Sequence, residues 1–114
     1  MAECIFCKIV NGELDSEVVY DDETAVAFKD ISPQAPHHVL VIPRQHIPSV
    51  ADAGPDDEPL LGHLCGVAAR LAEQFGLAGD GYRLVINCGA HGGQAVDHLH
   101  VHLLGGRQLT WPPG

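Results

Sequence analysis

Basic residues are scarce in this chain. Lysine and arginine together number 6 against 15 aspartates and glutamates, a formal charge of −9. Nonspecific binding to nucleic acid or to an anionic membrane needs a basic footprint that displaces counterions, so neither partner is expected. No stretch approaches the ~20 consecutive apolar residues of a transmembrane helix. The start, MAECIFCKIVNGE, lacks a basic segment followed by a long apolar run, so no secretory signal is expected. Cysteine is limited to 4 residues. In a chain that is not exported they are expected in a reducing cytoplasm, as thiols or metal ligands rather than disulfides.

Apolar residues are not lacking. At 46% of 114 residues they suffice for the core of one domain, residues 1–114. No repeat, low-complexity tract or long linker divides it. Glu17–Tyr20 and Thr24–Lys29 read as strands around an Asp21-Asp22-Glu23 turn. Pro33 and Pro36 break the chain, because proline fixes φ and cannot donate to a ladder. His38–Ile42 is a nearly continuous apolar strand closed by Pro43, and so central in its sheet. Leu60, Leu61, Leu64, Val67, Ala68, Leu71, Ala72 and Phe75 recur at helical offsets and predict one long amphipathic helix. Asp56, Asp57 and Glu58 place negative charge at its positive end, Pro59 suits its first turn, and Gly76 can stop it. Tyr82–Cys88 and His98–Leu104 complete the strands, with a glycine-rich loop from Gly89 to Gln94 between them. Short turns between strands give an α+β antiparallel arrangement rather than alternating βαβ units. The tail from Gly105 to Gly114 is ordered only if it docks.

Histidine is the unusual abundance, 8 residues against 6 lysines and arginines. His98, His100 and His102 alternate with Leu99, Val101 and Leu103, so period two puts the imidazoles on one strand face, ~6.6–7 Å apart. Imidazole is a nucleophile, a proton carrier near neutral pH and a metal ligand. Beside a glycine-rich loop, whose N–H groups can approach an anion, the cluster points to phosphate chemistry.

His98-Leu99-His100-Val101-His102-Leu103-Leu104 resembles the His-φ-His-φ-His-φ-φ signature of the histidine triad (HIT) superfamily. Further blocks fall in register: Cys4 to Ile9, Phe28 to Pro33, His38 to Pro43, Gly92-Gly93-Gln94, and Gly105 through Trp111-Pro112-Pro113-Gly114. The final block is similar to the Hint branch, the histidine triad nucleotide-binding proteins.

The resemblance implies a five-stranded antiparallel HIT-like sheet with one long helix and a short N-terminal helix. It also implies hydrolysis of purine nucleoside phosphoramidates through a nucleotidyl-histidine, in a homodimer. By that mapping His100 is the nucleophile, and the His98 carbonyl holds its other ring nitrogen. His102, His38, Asn87 and the Gly93 amide contact phosphate oxygens, with Gln94 and Ala95 alongside. Asp30 accepts the ribose hydroxyls, and Phe6, Ile9, Leu14, Phe28, Ile31 and Leu40 form the slot for the base. Each has a plainer alternative: Asp30 as a turn cap, His38 as a core histidine, Phe28 and Leu40 as core, Asn87 as a turn residue. Many eukaryotic Hint proteins carry a serine where Ala95 stands, so the source of the leaving group's proton is open.

Cys4-x-x-Cys7 suits a redox pair, two chance cysteines or half of a tetrahedral zinc site. With His46 and His98 it is similar to the zinc site of many bacterial HIT proteins, and it implies a structural zinc. Cys65 and Cys88 read as small buried apolars. His37, His63 and His91 receive no role, and His63 is expected in solvent, opposite the helix's apolar stripe. Competing functions are a nucleotide-binding module with vestigial turnover that acts through protein partners, a metal-handling protein, and a dinucleoside polyphosphate hydrolase.

Overall fold

Along each central strand the side chains alternate between two apolar layers, and that alternation fixes the architecture. The computed structural model describes residues Cys4–Gly114; the first three positions of the expected 1–114 domain lie outside them. Strands β1 (Val18–Asp21), β2 (Ala25–Lys29), β3 (His37–Pro43), β4 (Tyr82–Val85) and β5 (Val101–Gly105) form one antiparallel sheet in the order β1-β2-β3-β5-β4. Helices are α1 (Ile5–Val10), α2 (Glu58–Gln74) and α3 (Gly89–Gly92), with two 3₁₀ turns ahead of α2.

Ala25 and Ala27 of β2, Val39 and Val41 of β3, and Leu99, Val101 and Leu103 of the last segment pack with Leu64, Val67, Ala68, Leu71 and Ala72 of α2. The alanines and valines keep the helix close to the sheet, and each large side chain buried there is worth at most ~1.5–3 kcal/mol. Residues of the opposite parity, Val26, Phe28, Leu40 and Ile42, build a second layer with Phe6 of α1. Gly76 ends α2 at φ +75, as expected, and Leu77 N–H bonds back to the Ala72 carbonyl at 2.8 Å.

Boundaries differ where tertiary contacts intervene. The fourth strand stops at Val85 and not Cys88, and the fifth begins at Val101 and not His98. Val41↔Val101 is the last β3–β5 pair; beyond it the Pro43 carbonyl is taken by the His98 ring at 2.9 Å instead of by a backbone N–H. The expected alternation survives this loss of ladder, since Leu99 remains in the helix-side core. The Gly89–Gln94 loop contains the short helix α3. Cys65 and Cys88 are half-buried, short of the burial expected of them. His63 is not simply solvated either: its Nε2 lies 2.7 Å from Asp22 Oδ2, which also accepts from the Tyr20 hydroxyl at 2.6 Å. Burial opposes the Asp22 charge, but donors from Tyr20, Thr24, His63 and Ala25 outweigh it and hold the carboxyl well below the ordinary range.

Candidate active site

Strand register assembles the site. Phe28 pairs with Leu40, and Leu40 with His102, so one row across β2, β3 and β5 sets two apolar side chains beside an imidazole. His38 lies two residues before Leu40, on the same face. Helix α1 closes that face: Phe6 meets Phe28 edge-on at 5.4 Å and His100 at 5.2 Å. His100 and His102 rings stand 4.9 Å apart.

Hydrogen bonds fix the tautomers. His100 Nδ1 is 2.7 Å from the His98 carbonyl. A carbonyl only accepts, so Nδ1 carries a proton, and in the neutral ring the lone pair is on Nε2. Every fully buried side-chain nitrogen or oxygen among the described residues has a partner. His100 Nε2 has none, so although the residue is only 5% exposed, that nitrogen keeps some contact with solvent. The arrangement offers an oriented nucleophile.

His38 is fixed the other way. The Gln34 N–H donates to its Nδ1 at 3.1 Å, which leaves the proton on Nε2. That nitrogen is 2.9 Å from His102 Nδ1 and 3.5 Å from Asp30 Oδ2. His102 therefore accepts at Nδ1 and carries an N–H at Nε2. Burial, then the neighbouring His100 and His38, pushes His102 down to about 4. Burial also lowers His38, against the pull of Asp30. Both are neutral at pH 7.

A second cluster backs the first. Donor atoms of Cys4, Cys7, His46 and His98 all lie within 4.8 Å of one another. His98 Nε2–H donates to the Pro43 carbonyl at 2.9 Å, so Nδ1 turns its lone pair toward Cys4 Sγ at 3.4 Å and His46 Nδ1 at 3.2 Å. Burial, with Cys4 beside it, pushes the Cys7 thiol up to about 11; a thiolate there needs a cation partner. Two sulfurs and two imidazoles in this geometry could hold a metal ion. His98 thus serves both clusters, by its ring and by its carbonyl.

The remaining expected residues are placed less uniformly. Ile9 is half-buried against the Phe6 layer. Leu14 and Ile31 are 43% and 96% exposed and belong to no apolar cluster among the described residues. Asp30 Oδ1 accepts from Ser32 N–H at 2.7 Å, the turn cap weighed above, while Oδ2 faces His38. Asn87 is half-buried just before α3, and Ala95 is exposed. The Gly93 N–H bonds to the Ala90 carbonyl at 3.1 Å. The Gln94 side chain is spent inside the scaffold, accepting from Gly89 N–H at 3.0 Å and donating to the Pro48 carbonyl at 2.7 Å. Gln34 and the Pro43 carbonyl were not foreseen, because a backbone group carries no sequence signal of its long-range partner.

Residues 11–109 match the family model described as the HIT domain. A purine nucleoside phosphoramidase of Escherichia coli (strain K12) is 54% identical over 107 residues, 94% of this chain and 90% of that protein. A solved HIT family hydrolase from Legionella pneumophila superposes with a TM-score of 0.96 at 52% identity, covering 98% of this chain and 100% of the other. The histidine triad nucleotide-binding protein of Candida albicans gives 0.82 at 34% identity over 96% and 83%.

Proposed function

Since the chain belongs to the HIT domain family, we propose that it hydrolyses purine nucleoside phosphoramidates, releasing a nucleoside monophosphate and an amine. The observation that carries this reading is the 2.7 Å bond from His100 Nδ1 to the His98 carbonyl, with Nε2 left without a partner and not fully buried. That nitrogen attacks phosphorus in line, the P–N bond breaks, and the amine leaves with a proton. Water then attacks the nucleotidyl-imidazole, and the His100 lone pair returns.

The His102 Nε2–H faces the developing negative charge on the phosphate oxygens, with the Asn87 side chain as a further donor. His38, hydrogen-bonded to His102 and adjoining Asp30, completes that side. Asp30 offers its Oδ2 to the ribose hydroxyls, a use of two acceptor oxygens compatible with the Ser32 cap on Oδ1. The Phe6, Phe28 and Leu40 layer lies beneath the base, with Ile9 behind it, and the exposed Leu14 and Ile31 gain burial only when a planar base covers them. In the 89–95 loop the engaged Gly93 amide exchanges its Ala90 carbonyl for phosphate, or a neighbouring N–H serves. Gln94 acts by holding the loop, and Ala95 has no hydroxyl to protonate the amine, so water does so.

Cys4, Cys7, His46 and His98 would hold a zinc ion whose contribution is structural, since four protein donors close a tetrahedral site. That role requires reduced thiols and supports a cytoplasmic setting. The unit is a single domain in a homodimer, a reading supported by exposed Tyr82 and Ile86 at the β4 edge and Trp111, 79% exposed, near it. The charge of −9 argues against nucleic acid and anionic membrane as partners.

Acid quench during turnover, followed by mass spectrometry, tests the mechanism. We expect a nucleotide adduct in the wild type, no adduct in His100→Ala, and a loss of ~10³-fold or more in kcat. An active His100→Ala variant ends the proposal. Ala95 favours one further reading, a nucleotide-binding module with vestigial turnover. A panel of adenosine and guanosine phosphoramidates against dinucleoside polyphosphates separates it, and the polyphosphate hydrolase, from the reading above.

A further inference from the structure

A line of hydrogen bonds connects the C-terminal tail to the phosphate side of the site. Arg107 donates from Nε at 3.1 Å and Nη2 at 2.9 Å to the Gln34 carbonyl. The N–H of the same Gln34 donates to His38 Nδ1 at 3.1 Å, and His38 Nε2 lies 2.9 Å from His102 Nδ1. We infer that Arg107 is a positioning residue: by clamping Gln34 it sets the tautomer of His38 and through it that of His102, so that an N–H and not a lone pair meets the nucleotide phosphate. This inference rests on the phosphoramidate reading.

Ala35 is buried and Pro36 lies against Gly106, but few hydrogen bonds hold the loop around Gln34. Pro33 and Pro36 have no N–H, and the other bonds run within the loop and its own ends: Ser32 N–H to Asp30 Oδ1 and Gln34 Nε2 to the Ser32 carbonyl. Among the described residues, the Arg107 fork is its hydrogen-bonded tie to another part of the chain. The tail is built to reach it. Gly106 turns at φ +97, where a Cβ would come within 2.9 Å of Pro36 Cβ, and a Cβ on Gly105 would meet Leu77 at 2.7 Å. Glycine at both positions lets the chain leave β5 tightly enough to lay the guanidinium on the Gln34 carbonyl.

Asp30, His38 and His102 bring three potential metal donors within 4.8 Å of one another. The Gln34 N–H decides against that use. It occupies His38 Nδ1, so the nitrogen turned into the trio is protonated and offers a cation no lone pair. With both rings neutral at pH 7, the tautomer is the remaining variable, and a single backbone amide controls it.

Long-range ¹H–¹⁵N spectra of ¹⁵N-histidine-labelled protein read imidazole tautomers directly and need no turnover. In the wild type we expect Nε2–H at both His38 and His102. Arg107→Ala should give mixed tautomers at both rings, and kcat for an adenosine phosphoramidate should fall about five- to tenfold with KM changed less than about twofold. Arg107→Lys, which keeps the charge and one donor, should restore the wild-type spectrum and most of kcat, and it reads the same contact if Arg107→Ala fails to fold. Gln34→Pro removes the N–H while leaving the clamp and should reproduce the mixed spectrum. Wild-type tautomers retained in Arg107→Ala, or in Gln34→Pro, would overturn the inference and leave the phosphoramidate reading standing. A wild type that carries the expected tautomers but cleaves no phosphoramidate overturns that reading instead.

Discussion

His100 can attack only while its Nε2 is unprotonated, and the two imidazoles beside it on the phosphate side, His102 and His38, are kept neutral at some cost to acid stability. His102 is held down to about 4 by burial and by the imidazoles around it, and His38 is lowered by burial. An unfolded chain takes up these protons near pH ~6.5, whereas the folded one resists. By linkage the associated stability is present above pH ~6.5 and lost as pH falls toward the folded value. The urea midpoint should therefore drop between pH ~7 and ~4.5, and a midpoint that rose would refute the neutral assignment. Asp22, with its own affinity for protons depressed, adds a loss of the same sign, but only below pH ~4 where an unfolded carboxylate titrates. The residue types at these positions were legible in the sequence. Their protonation was not, because it depends on partners such as the Gln34 amide and the Pro43 carbonyl.

Among the helices, α2 and α1 stand on different footings. The 17 residues of α2 carry their own apolar stripe, and its stop at Gly76 was readable because glycine alone takes that φ without strain. Helix α1 has 6 residues, too few to persist alone, and is anchored by Phe6 and by Cys4 and Cys7 at the four-donor cluster. Chelation should raise amide hydrogen exchange across residues 5–10, weaken nucleotide affinity and leave the His100 adduct detectable. Exchange there that is indifferent to chelator would remove the cluster's structural role. The run His98–Leu104 marked its faces correctly but not its pairing: the ladder begins at Val101, because β3 ends at Pro43 and its carbonyl is diverted to His98.

At the scale of the whole molecule, charge and edge dominate. A formal charge of −9 repels an anionic nucleotide, so kcat/KM should rise modestly as salt increases from ~20 to ~200 mM and screens the repulsion. A steep fall with salt would instead indicate basic steering that the composition does not supply. Strand β4 lies at one edge of the sheet, and Arg83 bonds the Thr110 carbonyl at 2.9 Å with Trp111 5.9 Å beneath its guanidinium, so the tail is docked beside that edge. Light scattering on a sizing column should show a dimer, and Trp111→Ala should shift it toward monomer. A wild type that is monomeric at micromolar concentration sinks the dimer proposal.

By itself the sequence determined what repeats locally: the helical stripe of α2, the strand alternation that sorts aliphatics from imidazoles, and the breaks at proline and glycine. Those patterns act through dihedral preference and side-chain period, which neighbouring residues fix. Only the tertiary structure brought Cys4 to His98, His38 to His102 and Arg107 to Gln34, pairs 94, 64 and 73 residues apart. Such meetings depend on strand order and register, which burial summed over the whole chain selects, and the tautomer of each histidine follows from the company it then keeps.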